Sequence, residues 1–540
     1  MWANQKTHLN KGGKMDETYD AVNKAWKKTC KIIFGEEIGE LKEYEKWLIK
    51  DIAKPSIRKS HSKKNHIAVV TQDYCSKGNF LDFSEVDFNK KFSPLNVNEI
   101  KDIDSILESI KERICYTGNI WLGNSKGVET STAITDSHNI FNSIWVDDSK
   151  NVAYSAYVKQ AEYLFGSDTI GETKYCIKTY ETYRNMRSIE IWKCANTSDS
   201  IYCFGLDNCN NTMFSFNTKN KNYMIGGIQL SPDKFKQIKK DIIGQLVEEL
   251  KQKKELPSLM DLLGESLKYR TKTAKISDEY KNENFDISPL DNKFKQTCKL
   301  VLGRDIGSLE EYKNHLLKRT LWPISPMNSV ASGNRYYFQQ YAGLHNLPKA
   351  VMVGYPEALR LGSQLSMDKE DIENLDRIKK NLWKIGYVPV DYYVGENRNF
   401  KACPASAGSQ NNLFVAEAAF SKNCAYSTWP RDGENMFGVS LTFSSSFCID
   451  TYYSKKLSRT FQVDCSENCT DAYYLHNCEN VHDSMFCFNV KNLRNAIGNT
   501  ALPAEEYKKI KTNILNQIAD ELEKKKDLKW DIYNIGCYNG

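Results

Sequence analysis

The sequence has no apolar run approaching the ~18 residues that a membrane span needs, and its opening, MWANQKTHLNKGGKMDETYD, has no hydrophobic signal core. Export by a signal peptide and membrane insertion are therefore not expected, and the chain reads as cytoplasmic, otherwise intracellular, or part of a virion. It has no Cys-x-x-Cys pair, glycine-rich phosphate loop, dinucleotide fingerprint or serine-centred nucleophile elbow, so the common zinc, nucleotide and hydrolase signatures have no support. Only eight histidines occur, although acid–base and nucleophilic catalysis most often recruit that residue. A long basic block is missing as well. The 74 basic and 68 acidic residues are spread along the chain and leave a net charge of +6, a poor footprint for a nucleic-acid partner.

What is present describes a globular protein, with 41% hydrophobic and 26% charged residues. At 540 residues the length prior is about two to four domains. The 16 cysteines are too dilute for a disulfide scaffold and are expected as reduced thiols packed like small hydrophobes.

The main internal signal is a repeat. Residues 27 to 48, KKTCKIIFGEEIGELKEYEKWL, recur 268 positions later as KQTCKLVLGRDIGSLEEYKNHL, with 11 of 22 positions identical. The pattern predicts a helix, a glycine turn and a second helix, with Ser308 and Glu311 at capping-box spacing. Further on the offset becomes 272: SKNVAYS at 149–155 answers SKNCAYS at 421–427, and MFSFNTKN at 213–220 answers MFCFNVKN at 485–492. The expected fold class is α+β, a tandem duplication in which each copy has N-terminal helices, a short-period β-solenoid-like strand region and a C-terminal amphipathic helix. The expected boundaries are a tail at 1–19, copy 1 at 20–257 with its solenoid-like part at about 149–230 and helix at 231–256, and a polar linker at 258–287. Copy 2 follows at 288–528, with the corresponding parts at about 421–502 and 503–526, and then a tail at 529–540. Residues 60–148 and 325–420 resemble each other much less.

The solenoid expectation rests on short apolar runs separated by Asn, Asp, Ser and Cys. Cys469, Cys478 and Cys487 are nine residues apart, as are Cys194 and Cys203, and nine is taken as half of one flattened coil. Asn208, Asn217, Asn220 and their counterparts Asn480, Asn489 and Asn492 are candidates for the corners, where Asn tolerates left-handed backbone. Phe214 with Phe216, and Phe486 with Phe488, alternate like a strand with one face inward. After Ser231-Pro232, the residues Phe235, Ile238, Ile242, Leu246 and Leu250 follow at helical spacing, and this helix is expected to cap or flank its own strand stack.

The segment NCTDAYYLHNCENVHDSMFCFNVKNLRNAIGN, followed by a proline and the helix holding Glu505, Glu506 and Tyr507, resembles an uncharacterised group of Cys-and-Asn-rich short-repeat proteins. These come from metagenomic bacteria and large phages. The resemblance covers the later part of each copy and implies architecture only, since the group's function is unknown. Its members often carry Cys-x-x-Cys zinc knuckles, which this chain lacks.

The candidate metal ligands are Cys465, Cys469, His476, Cys478 and His482, a sulfur and imidazole set suited to zinc. The first copy has Lys193, Thr197, Phe204, Leu206 and Asn210 in their places, which favours buried thiols and surface histidines. No catalytic or cofactor-binding residue is assigned. Asp199 and Asp471 are equivalent, and WPRDGEN at 429–435 reads as a turn with a local ion pair. The balance points to a non-enzymatic structural or assembly protein, a duplicated scaffold whose partners are further copies of itself or other subunits of a particle, lattice or virion. The alternatives are a metal- or nucleic-acid-binding module using the second-copy Cys/His cluster, and an enzyme with its site in 60–148 and 325–420.

Overall fold

A left-handed residue recurs at every third position, from Gly127 to Gly226 and again from Gly408 to Gly498. The structure, a computed structural model, describes residues 15–62, 65–277 and 285–538. Most of the expected N-terminal tail with His8, part of the expected linker, and the last two residues lie outside the described residues. The chain mixes helices and strands, and most of its strand pairs are parallel.

Each left-handed residue turns the backbone through a corner, and four corners bring it round in 12 residues. Ile144, Ala156, Asp168, Tyr180 and Trp192 therefore lie one above another in parallel register. Lys422, Glu434, Ser446, Ser458 and Thr470 do the same in a second stack. A left-handed non-glycine residue costs roughly 1 kcal/mol. The cost is offset by ladder bonds, because corner amides donate to the coil before, as Tyr154 does to the Phe141 carbonyl at 3.1 Å and Asn208 to Ala195 at 3.1 Å.

The residue after each corner points inward. In the first stack this position holds buried Ser137, Ser149, Ser155 and Ser167, with aliphatic residues such as Ile134, Ile140 and Leu164 at others. Aliphatic side chains and serines share this narrow interior, and serine completes its wiring. The Ser149 hydroxyl donates to the Asp147 carbonyl at 2.8 Å and accepts the Ala161 amide at 3.0 Å. In the second stack Cys469, Cys478 and Cys487 take inward positions, with Sγ 3.3 to 3.4 Å from the carbonyls of Glu467, His476 and Met485.

Three expectations need correction here. The coil closes in 12 residues and not twice nine, so a nine-residue step spans three of four sides and these cysteines point in from different sides. Phe214 and Phe216 do not face the coil interior as expected. They flank the inward Ser215 and both join the core between the coils and their covering segments. Strand stacking also starts earlier than expected, at Trp121 and Lys126 in the first stack and at Tyr392 and Arg398 in the second. The early coils of the first stack place Ile134, Ile140 and Ser143 inside and, between 121 and 148, hold no cysteine, although Asn139 and Asn142 take corners.

Helices lie along the stacks. Met15–Phe34 runs across successive first-stack strands, and Ser288–Leu302 across second-stack strands. Gly35 and Gly303, both at positive φ, end them, and the Ser308–Glu311 capping box is formed. The long helices Pro232–Lys253 and Ala504–Lys525 pack beside the last coils, and each stack ends in a tight antiparallel hairpin, 222–229 and 491–501.

The poorly matched segments cross over. Residues from 56 to 118 pack on the end of the second stack: Arg113 donates to the Gly498 carbonyl at 2.6 Å, and Asn489 Nδ2 donates to the Cys115 carbonyl at 2.8 Å. Residues from 321 to 391 pack on the first stack: the Met367 amide donates to Gly226 at 2.8 Å, and Asn217 Nδ2 donates to Tyr387 at 2.6 Å. The expected linker is not merely polar, because Leu259–Ser266 is a helix with Leu259, Met260, Leu262 and Leu263 buried. Nor are residues 529–538 of the expected tail loose. Ile532, Tyr533 and Ile535 are buried, and Cys537 forms a disulfide with Cys75. That bond corrects the expectation of thiols throughout, while the other described cysteines are free and, except Cys115 and Cys465, buried.

Candidate functional site

Of the five candidate ligands, the structure brings together two. Cys465 occupies a corner and His476 an outward position one coil further on, and Asp464 joins them, the three ligand atoms lying within 4.8 Å of one another. Asp464 and His476 stand in register on neighbouring coils, which is why residues 12 apart meet. The fourth member is Tyr74, from the segment that crosses over from the first half. Its hydroxyl donates to Asp464 Oδ2 at 2.6 Å and lies 3.7 Å from Cys465 Sγ.

The hydrogen bonds fix the protons. The Thr117 backbone amide donates to His476 Nε2 at 2.8 Å, so that nitrogen is unprotonated. The ring's proton then sits on Nδ1, which lies 2.8 Å from Asp464 Oδ2 and donates to it. A metal on this histidine would need the Nδ1 lone pair where the proton now is, and a ligating histidine normally donates from its other nitrogen instead of accepting there. The geometry therefore favours a proton at this position over zinc. Burial and then the Asp464 charge hold the Tyr74 phenol well above its ordinary value, and burial likewise raises the Cys465 thiol. Asp464 Oδ1 is buried without a hydrogen-bond partner.

Chemically the cluster can hold two segments together. His476 and Asp464 are 0% exposed and both imidazole nitrogens are engaged, so neither a free base nor an approach for a substrate is present. Tyr116 and Tyr533 close around Tyr74 at ring separations of 4.5 and 5.2 Å.

The other candidates lie elsewhere. Cys469 and Cys478 point into the coil interior, and His482 sits in the strand Glu479–Met485 on a partly exposed face opposite Thr470 and Arg494. Asp199 and Asp471 are surface partners in two matching bidentate pairs, Arg187–Asp199 and Arg459–Asp471, each with bonds of 2.6 and 2.9 Å. Arg431 and Asp432 form an exposed pair at 3.5 Å. Tyr74 and Thr117 were missed by sequence reasoning because nothing local marks a residue whose partner is several hundred positions away. No family model matches the chain, and neither curated proteins nor solved structures give a match to it.

Proposed function

We propose that the chain is a non-enzymatic structural protein, one module written twice as paired β-solenoids with flanking helices, which assembles with further copies of itself into a larger particle or lattice. The doubling is supported by contacts that recur at the 272-residue offset, such as Asn217 on Tyr387 with Asn489 on Cys115. The likeness of its Cys-and-Asn-rich run to proteins of large phages makes a virion the first assembly to consider.

The observation that carries the reading is the open end of the second stack. Strand Tyr392–Val394 pairs on one side only, with Ala405–Ala407, and leaves its other edge unpaired among the described residues. Tyr392 and Val394 are 41% and 46% exposed, and Phe420, on the same end, is 61% exposed. An unpaired edge bearing large apolar side chains is a ready surface for another chain, whereas the far end of each stack is closed by its hairpin. Charges along the exposed sides are paired between coils, as in Glu162–Lys174, Glu172–Arg184 and Glu479–Lys491, each at 2.7 Å. Those sides therefore offer little unsatisfied charge to a small ligand.

Light scattering over a wide concentration range tests the proposal. Mass should rise with concentration; a dispersed monomer that turns over a small molecule would reject it.

A further inference from the structure

The two stacks meet along one file of corner residues. At its centre Tyr157 faces Trp429 with ring centroids 6.3 Å apart, and to one side Trp145 stacks on Tyr453 at 5.8 Å. On the other side the positions equivalent to Trp145 and Tyr453 hold Glu417 and Glu181. Burial, and then the Glu181 charge, push the Glu417 carboxyl up to about 7. The backbone does not demand acids there, since an aromatic pair fills the matching space.

Their surroundings supply oxygen. Gln339, 1% exposed, donates from Nε2 to Glu417 Oε1 at 2.6 Å, and its own Oε1 is buried without a hydrogen-bond partner. The Tyr341 hydroxyl lies beside Glu181 without a well-formed hydrogen bond, on a residue 3% exposed. Lys193 sits 3.2 Å from Glu181. Among the described residues it is the ammonium that acts on this group, while the buried carboxyls of Asp168 and Asp391 feel the Glu181 and Lys193 charges respectively. Negative charge is in excess, and two buried polar oxygens are unused.

We propose that Glu181, Glu417, Gln339 and Tyr341 form a binding site for a hard divalent cation, of the calcium or magnesium type, that bridges the two stacks. The donor set is all oxygen, with no thiol or imidazole, which suits such cations over zinc or copper. A cation between the two carboxylates would turn their repulsion into a cross-link and give the two unpartnered oxygens a ligand. Lys193 holds Glu181 in place, and Gln339 holds Glu417.

Terbium provides the probe, because Trp322 lies 6.2 Å from Tyr341 and 5.9 Å from Trp429 and can sensitise its emission. Full-length protein stripped with EDTA should give saturable Tb3+ luminescence that calcium displaces. Glu417→Gln and Glu181→Gln should each weaken terbium binding by about tenfold or more, and Glu467→Gln, on an outer ladder, should not. Circular dichroism establishes that each variant is folded; if either carboxylate variant is not, Tyr341→Phe, which removes one oxygen, replaces it and should weaken binding in the same direction. Absence of saturable emission from folded wild type, or emission unchanged in the folded variants, would overturn the proposal. So would stabilisation on mild acidification with no response to metal, which would mean that the carboxylates share a proton instead.

Discussion

At the scale of single residues, buried charge is placed in matched sites but with different chemistry. In the first stack Lys178, a corner residue, reaches Asp51 and the Trp47 carbonyl, each at 3.0 Å. In the second the equivalent corner is Asp450, and its partner at 2.8 Å is His315, which stands where Trp47 stands. The order of charges is reversed, and each is satisfied by its own partner. Burial works against a charged His315, but Asp450 and Asp527, both 2.8 Å from the ring, overcome it and raise its pKa to about 9. A base raised from its unfolded value contributes stability fully below about pH 6.5, and that contribution is lost as pH rises through about 9. His315→Gln should therefore cost on the order of 2–3 kcal/mol at pH 6 and progressively less toward pH 10. Denaturant unfolding of both proteins across that range would show it; a difference independent of pH would mean that the ring is not charged when folded. None of this was legible in the sequence, where the lack of a shared histidine said only that a site was not repeated.

At the scale of elements, the strand coils are held by their inward residues as much as by their ladders. Ser155 donates to the Ala153 carbonyl at 2.9 Å and accepts the Ser167 amide at 3.1 Å. Ser155→Ala would strand that buried amide and should destabilise the protein by about 1–3 kcal/mol, whereas Ser446→Ala, on an outward face, should fall within about 0.5 kcal/mol. Equal effects in thermal unfolding would show that the hydroxyl wiring contributes little. The corner asparagines could be read in advance, and Asn208, Asn217, Asn220, Asn480, Asn489 and Asn492 all have positive φ. Asn announces that conformation, and it bonds along the stack, as Asn208 does to Asn220 at 2.7 Å. The period could not be read, because Cys was taken as the marker of one interior file. The interior is shared by Ser, Thr, Val, Ile, Ala, Leu and Cys, and corners such as Tyr154, Lys178 and Glu190 carry no conformational signature.

At the scale of the whole molecule, the halves are interlocked. The hairpin end of each stack is packed by a segment from the other half, and the Cys75–Cys537 bond ties residues 462 positions apart. Two separable modules, the natural reading of a sequence repeat, would each leave a stack end uncovered. Cys537→Ser should lower stability by about 2–4 kcal/mol through the freed unfolded chain while leaving one cooperative transition in calorimetry; two resolved transitions would indicate halves that unfold independently. The crossing segments were the least legible part, since residues 60–148 and 325–420 share little sequence. Even so, helix Ile103–Ile110 and helix Leu375–Asn381 occupy corresponding places. Their packing needs apolar residues of suitable size and not particular identities.

The claim on which the functional account depends is that the open edge at Tyr392–Val394 joins copies of the chain. Sedimentation velocity of wild type and Val394→Lys over a wide concentration range tests it most directly. The account predicts concentration-dependent assembly in wild type and a monomer in the variant, since a charged side chain on an edge blocks strand pairing. A wild-type monomer at every concentration, or a variant that assembles as well as wild type, would contradict it.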